Sequence, residues 1–304
     1  MKKIILIATV VIATSCSKNL VSTTNAVTKN TVMKTYDFEL QGHRGARGLA
    51  PENTMAAFKK ALELNVNTLE LDVVVTKDKQ LIVSHEPWLN AKITLDKSGK
   101  QVGEQDALAY NIYQHDAADL QTYDVGSLEN TLFPEQKKEK VSKPLLSTVF
   151  KMAEKANPAI LYNIEIKSTI EDEQKGFQPS VDEFSDLLVR EIEQNVPKER
   201  VVIQSFDIRV LQYIHSKYPE FTLSYLTFEN NFEKNIELLG FTPAIYSPYY
   251  VLLNADEVKK IHATNVKVIP WTVNTAPEMQ ELLEMGVDGL ISDYPNLALP
   301  FRKK

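Results

Sequence analysis

From residue 37 onward the chain alternates short runs rich in Val, Ile and Leu with longer stretches of helical period, and that rhythm limits the fold more than any other feature. The strand candidates are residues 38–43, 68–75, 80–85, 159–167, 201–206, 222–228, 243–250, 266–274 and 289–295. Helical patterns fall between most of them, at 52–65, 146–156, 181–195, 207–217, 231–239, 254–264 and 277–285. Continuous apolar runs suit strands covered on both faces, so the reading is a parallel α/β architecture. Nine strands are one too many for an eight-stranded barrel. The "TKDK" between residues 75 and 80 is too short for a crossover helix, so "LDVVV" and "QLIVSH" are expected to form a hairpin. Residues 87–144 break the rhythm with a polar segment of weak helical periodicity near 107–121, read as an insertion or small cap on one face.

The 304 residues carry a formal charge of −6, which argues against nucleic acid as a partner, because neutralising many phosphates takes a basic surface. A small anionic substrate fits if one pocket is locally positive. The N-terminus stands apart from the rest. "MKK" precedes the apolar run 4–13, which is short for a membrane span and suited to an export signal. It ends at "ATSCSK", where Cys16, the sole cysteine, follows small residues. The stretch resembles a bacterial lipoprotein signal, which implies cleavage of residues 1–15, lipid on Cys16 and a Ser/Thr/Asn-rich tether over 16–35. A free or buried thiol after plain secretion is the alternative. The expectation is an exported, membrane-anchored lipoprotein on the periplasmic or cell-surface side, with its catalytic domain at 36–304.

Chemistry concentrates at a few strand positions. In "LELDV", Glu70 and Asp72 project from one face of a strand while Leu69, Leu71 and Val73 occupy the other. "NIEIK" repeats the device with Glu165 and Lys167, a pair that also satisfies the description of a buried ion pair. Three carboxylates without clustered Cys or His ligands point to a hard divalent cation such as Ca²⁺ or Mg²⁺. His43 in "GHRGARG" and His85 in "IVSHEP" close apolar runs, so one imidazole can take a proton while the other gives one. Arg44 adds a planar cation suited to phosphate and Lys167 a point charge. Pro51 and Glu52 of "PENT" are expected in the first turn of the next helix. Gln204, Ser205, Asn274 and Asp293 also sit at strand ends, where hydrogen bonds to the barrel's own loops account for them. His115, His215 and His262 are read as solvated or satisfied.

Taken in order, "HRG", "PENT", "ELDV", "SHEP", "IEIK", "QSF", "WTVN" and "SDYP" resemble the glycerophosphodiester phosphodiesterases across residues 41–295. The resemblance implies a TIM-type (β/α)8 barrel with a small inserted cap subdomain. It also implies one divalent cation, Ca²⁺ or Mg²⁺, on Glu70, Asp72 and Glu165, with His43 and His85 as the acid-base pair. Arg44 and Lys167 match phosphate-facing cations, and Trp271 matches a position near the substrate. The implied reaction is hydrolysis of a glycerophosphodiester to sn-glycerol 3-phosphate and an alcohol. The sequence departs from the family pattern in two places: Glu86 follows His85 where Asp is usual, and the insertion 87–144 carries no motif that aligns with the family's.

Overall fold

The computed structural model describes residues 34–104 and 108–303. The expected export signal, Cys16 and nearly all of the expected tether lie outside the described residues.

Nine strands form among the described residues: β1 (Glu39–Gly42), β2 (Thr68–Val75), β3 (Leu81–Val83), β4 (Leu161–Ile166), β5 (Val201–Ser205), β6 (Thr222–Thr227), β7 (Ile245–Pro248), β8 (Lys267–Val268) and β9 (Gly289–Ser292). Eight of them pair in parallel in the order β8-β7-β6-β5-β4-β2-β1-β9. Asp288 and Ile291 donate backbone hydrogen bonds to the carbonyls of Val268 and Pro270, at 2.9 and 3.1 Å, and draw β9 against the β8 side. The result is a nearly closed TIM barrel with helices outside. β3 is the ninth strand, antiparallel to β2, with Val73 opposite Val83. It is the hairpin expected from the short "TKDK" link.

Every residue of β2 is buried. Its odd-numbered apolar side chains join the main core beneath the helices, including the fully buried Phe58, Phe150 and Phe184. Its even positions below Val74 point into the barrel, where a polar layer replaces the usual aliphatic filling. There Asn163 donates to Gln41 Oε1 at 2.8 Å and to Gln204 Oε1 at 2.9 Å. Buried polar groups are tolerable when bonded, and this network lies directly under the carboxylates.

The helices match their sequence patterns closely, with one correction. The helix after β1 is Met55–Glu63, capped by Thr54, whose Oγ1 accepts from the Ala57 amide. Pro51 and Glu52 therefore precede the first turn. Among the described residues the insertion contributes the short helical turns Leu108–Tyr110, Ile112–Gln114 and Ala117–Leu120. It forms a small apolar cluster of its own, in which Leu89, Ile112, Leu120 and Tyr123 pack on Val74 and Ile82 of the hairpin.

Candidate active site

Parallel strands bring their C-terminal ends to one face, and the chemistry-bearing residues gather there. At the end of β1 the chain reverses through Arg44 (φ 49°) and Gly45 (φ 86°). The reversal is tight enough that a Cβ on Gly42 would lie 2.0 Å from the Gly45 carbonyl oxygen, so only glycine fits. It sends the Arg44 amide to Glu70 Oε2 at 2.8 Å and brings His43 Nε2 to 4.0 Å from the same oxygen.

Strand register then assembles the acids. Asp72 is the direct neighbour of Glu165 across β2 and β4, and Glu165 is the neighbour of Gln204 across β4 and β5. Glu70, Asp72 and Glu165 each offer a carboxylate oxygen within 4.8 Å of the others. They are 1%, 1% and 6% exposed, so water does little to separate their charges. Gln204 holds Glu70 at 2.8 Å, Asn53 holds Asp72 at 2.7 Å, and Lys167 holds Glu165 at 2.7 Å. Asp72 Oδ1 is buried without a hydrogen-bond donor.

The electrostatics follow from this crowding. Burial, reinforced by Asp72, lifts Glu70 well above the usual carboxylate range. Burial raises Glu165 as well, with Asp72 adding to it and Lys167 opposing. Burial also works against ionised Asp72, but the charges of His85, Arg44 and Lys167 outweigh it and hold that carboxyl low. Three converging acidic oxygens, one without a donor and two whose charge is disfavoured, fit a hard divalent cation. Glu70, Asp72 and Glu165 would hold it.

Both histidines have a carboxylate behind them. His43 Nδ1 lies 2.6 Å from Asp293 Oδ1, which turns Nε2 toward Glu70. Asp293 is fully buried, clamped by Arg47 at 2.8 and 3.0 Å and by Asn274 at 2.7 Å. Burial lowers the His43 imidazole to about 4, with Asp293 opposing and Arg47 and Arg44 assisting, so the ring is neutral at pH 7. His85 follows β3, and its Nδ1 lies 3.0 Å from Glu86 Oε1. Burial raises Glu86, but the bond and charge of His85 bring it down to about 2. Despite burial, the surrounding carboxylates keep Arg44 and Lys167 firmly charged.

One pocket is lined by His43, Arg44, Glu70, His85, Glu165, Lys167 and Trp271, with Asp72 beside them in the acidic triad. Trp271 anchors its indole N–H on the Ser247 carbonyl at 2.9 Å and meets Phe206 edge-on at 5.2 Å, giving the pocket an aromatic wall. Glu52 is bound by Arg44 at 2.8 Å rather than sitting in a helix turn. The sequence reading missed Asp293, Gln204, Arg47, Asn53 and Phe206 as site residues. For the first two the strand-end position was the available signal. Ser205 does bond its own neighbourhood, through the Ile166 carbonyl. His262 pairs with Asp288, His115 with Asp119, and His215 stacks on Phe241.

The glycerophosphodiester phosphodiesterase of Bacillus altitudinis is 28% identical over 272 residues, spanning 86% of this chain and 97% of the relative. That of Caldanaerobacter subterraneus is 29% identical over 262 residues, spanning 86% and 96%. A crystal structure from Silicibacter pomeroyi shares the fold with a TM-score of 0.77 at 24% identity, covering 88% of this chain and 94% of that one. An Oleispira antarctica phosphodiesterase, solved with the product sn-glycerol-3-phosphate, shares it with a TM-score of 0.69 at 22% identity, covering 86% and 96%. The sequence also matches the glycerophosphoryl diester phosphodiesterase family over residues 43–297, from the first histidine to just beyond Asp293. That match takes in the whole site described above, and the chain belongs to the glycerophosphoryl diester phosphodiesterase family.

Proposed function

We propose that this enzyme hydrolyses glycerophosphodiesters to sn-glycerol 3-phosphate and an alcohol by two-histidine acid-base catalysis beside one divalent cation, Ca²⁺ or Mg²⁺. The observation that carries the reading is the convergence of three buried carboxylates within 4.8 Å in a pocket lined by both imidazoles. A divalent cation there supplies Lewis-acid stabilisation of charge on the phosphoryl oxygens. Arg44 and Lys167 bind the phosphate and neutralise the charge that builds during displacement. Neutral His43, held through Nδ1 by Asp293, takes the proton of the glycerol 2-hydroxyl as that oxygen attacks phosphorus. His85, backed by Glu86, gives its proton to the departing alcohol as the phosphorus–oxygen bond breaks. Water then opens the cyclic phosphate with the two roles exchanged. Trp271 and Phe206 shield the apolar side of the substrate.

The test is release of glycerol phosphate from glycerophosphocholine, with Ca²⁺, Mg²⁺ or chelator present. Turnover is expected with a divalent ion and is expected to disappear with chelator. Full activity in chelator would sink the metal assignment. A second reading, cleavage of acyl-bearing glycerophosphodiesters, draws support from the aromatic wall, which continues from Phe206 to the exposed Phe228 at 5.7 Å. Activity confined to acyl-bearing substrates would select it.

The N-terminal sequence supports an export signal over residues 1–15 and a lipid anchor on Cys16, with the catalytic domain held at a membrane by the tether. Cys16→Ser is expected to move the protein from the membrane fraction to the soluble fraction. Unchanged fractionation would remove the anchor from the proposal.

A further inference from the structure

The polar layer inside the barrel has a direction. It begins at the N-terminal end of β1, where Glu39 Oε1 accepts from Gln41 Nε2 at 2.8 Å and from the Thr68 hydroxyl at 2.6 Å. With its nitrogen held there, Gln41 turns its carbonyl oxygen to Asn163 Nδ2 at 2.8 Å. The same nitrogen donates its second hydrogen to Gln204 Oε1 at 2.9 Å, which leaves Gln204 Nε2 facing Glu70 Oε1 at 2.8 Å. Each amide fixes the next, because a carboxamide offers oxygen on one side and nitrogen on the other. Gln41, Asn163, Gln204 and Glu70 are each 1% exposed, so water does not compete for these bonds.

Asn163 is the turning point of the series. It lies directly beside Glu70 across β2 and β4, yet its Oδ1 is buried without a donor among the described residues. Turning this amide over would set Oδ1 against the carbonyl oxygens of Gln41 and Gln204 and would strip both N–H groups of their acceptors. One unbonded oxygen is the smaller penalty. The consequence falls on Glu70, whose Oε1 receives the Gln204 N–H and whose Oε2 receives the Arg44 amide at 2.8 Å. A donor on each oxygen fixes the plane of the carboxylate and leaves lone pairs for an ion. A reversed Gln204 would bring a carbonyl oxygen against that carboxylate and push it away.

Building on the proposed function, we infer that Asn163 is a positioning residue for the cation site: it holds the Gln204 amide so that an N–H, and not a carbonyl, meets Glu70, and so aims this carboxylate at the position it shares with Asp72 and Glu165. Asn163 is not among the residues that line the pocket, so it acts through Gln204 and not on the substrate. Partners that orient a metal-binding carboxylate in this way set the affinity for the ion.

Calorimetric titration of Ca²⁺ alone and Mg²⁺ alone into the chelator-stripped full-length chain tests this. Asn163→Leu is expected to weaken ion binding about tenfold, and Gln204→Leu at least as much. The double variant should lie within about twofold of Gln204→Leu, because Asn163 acts through that amide. Turnover of glycerophosphocholine by Asn163→Leu should return to within about threefold of the parent at saturating ion, a rescue that a general packing defect would not show. Parent affinity in a folded Asn163→Leu protein would overturn the inference, as would losses that multiply fully in the double variant or turnover that excess ion does not restore. If Asn163→Leu fails to fold, Gln41→Leu replaces it with a smaller loss in the same direction expected, and unchanged affinity there decides against the inference. A parent that binds an ion no more tightly than Asn163→Leu defeats this inference alone. A parent that binds neither ion defeats the proposed function as well.

Discussion

Glu70→Gln is expected to abolish divalent-ion binding and to lower turnover by about 10³-fold, equivalent to about 4 kcal/mol of lost transition-state stabilisation. The same substitution is expected to raise the melting temperature of the metal-free chain. Glu70 sits among buried like charges, and burial together with Asp72 lifts its proton affinity well above normal. A carboxyl whose folded pKa is raised contributes stability below its unfolded pKa, near 4.3, and loses that contribution as pH rises through the folded value. At pH 7 the parent therefore bears the cost and the glutamine variant does not. For a chain of this size each 1 kcal/mol moves the midpoint by roughly 2–4 °C. Melting curves in chelator at pH 7 and pH 4 check both parts: the advantage of the variant should shrink on acidification. A variant that is less stable than its parent at pH 7 without metal would contradict the account. Adding divalent ion should reverse the order, stabilising the parent alone.

His43→Ala is expected to reduce kcat by about 10²–10⁴, the range for a single positioned proton-transfer group. Asp293→Asn should come close to it with the imidazole still present. An amide at 293 can donate to His43 Nδ1, which would place the proton on Nε2 and remove the lone pair that must face the substrate. The variant also leaves Arg47 without its charged partner at 2.8 Å. The distinguishing readout is KM, which should move little in either case because neither group supplies the main attraction for the phosphate. The pH profile gives a further check. Burial brings His43 down to about 4, so the acid limb of kcat/KM attributable to this base should lie near that value and not near 6.5. A limb at 6.5 that disappears in His43→Ala would keep His43 as the base and contradict its lowered proton affinity.

Strand positions and the faces they present were readable from the sequence because they depend on local periodicity. "LELDV" announces two inward carboxylates whatever the rest of the chain does, and the four-residue link "TKDK" leaves a hairpin as the only economical connection. The limits of β7 and β8 were less legible. Runs expected at 243–250 and 266–274 shrink to Ile245–Pro248 and Lys267–Val268, since Pro248 and Pro270 cannot donate to a neighbouring strand. The clamps on the site residues were hidden for another reason. Asp293 and His43 are 250 positions apart, and their contact exists only because β9 closes the barrel against β1. Gln204 reaches Glu70 across β4, a relation that strand order creates and composition does not encode. "PENT" looked like a helix start because proline and an acid suit that role. The positive φ of Asn53 and the pull of Arg44 on Glu52 turn it into a brace for the metal-side residues.

The hairpin gives the two imidazoles different mechanical supports. His43 rides on a barrel stave, while His85 extends from β3, one of whose side chains, Ile82, packs in the insertion's separate apolar cluster. Ile82 points to that cluster while Leu81 and Val83 join the main core, so the His85 support is shared between insertion and barrel. A substitution that thins the peripheral patch would therefore act on the proton donor while leaving the carboxylates and phosphate-facing cations on their staves.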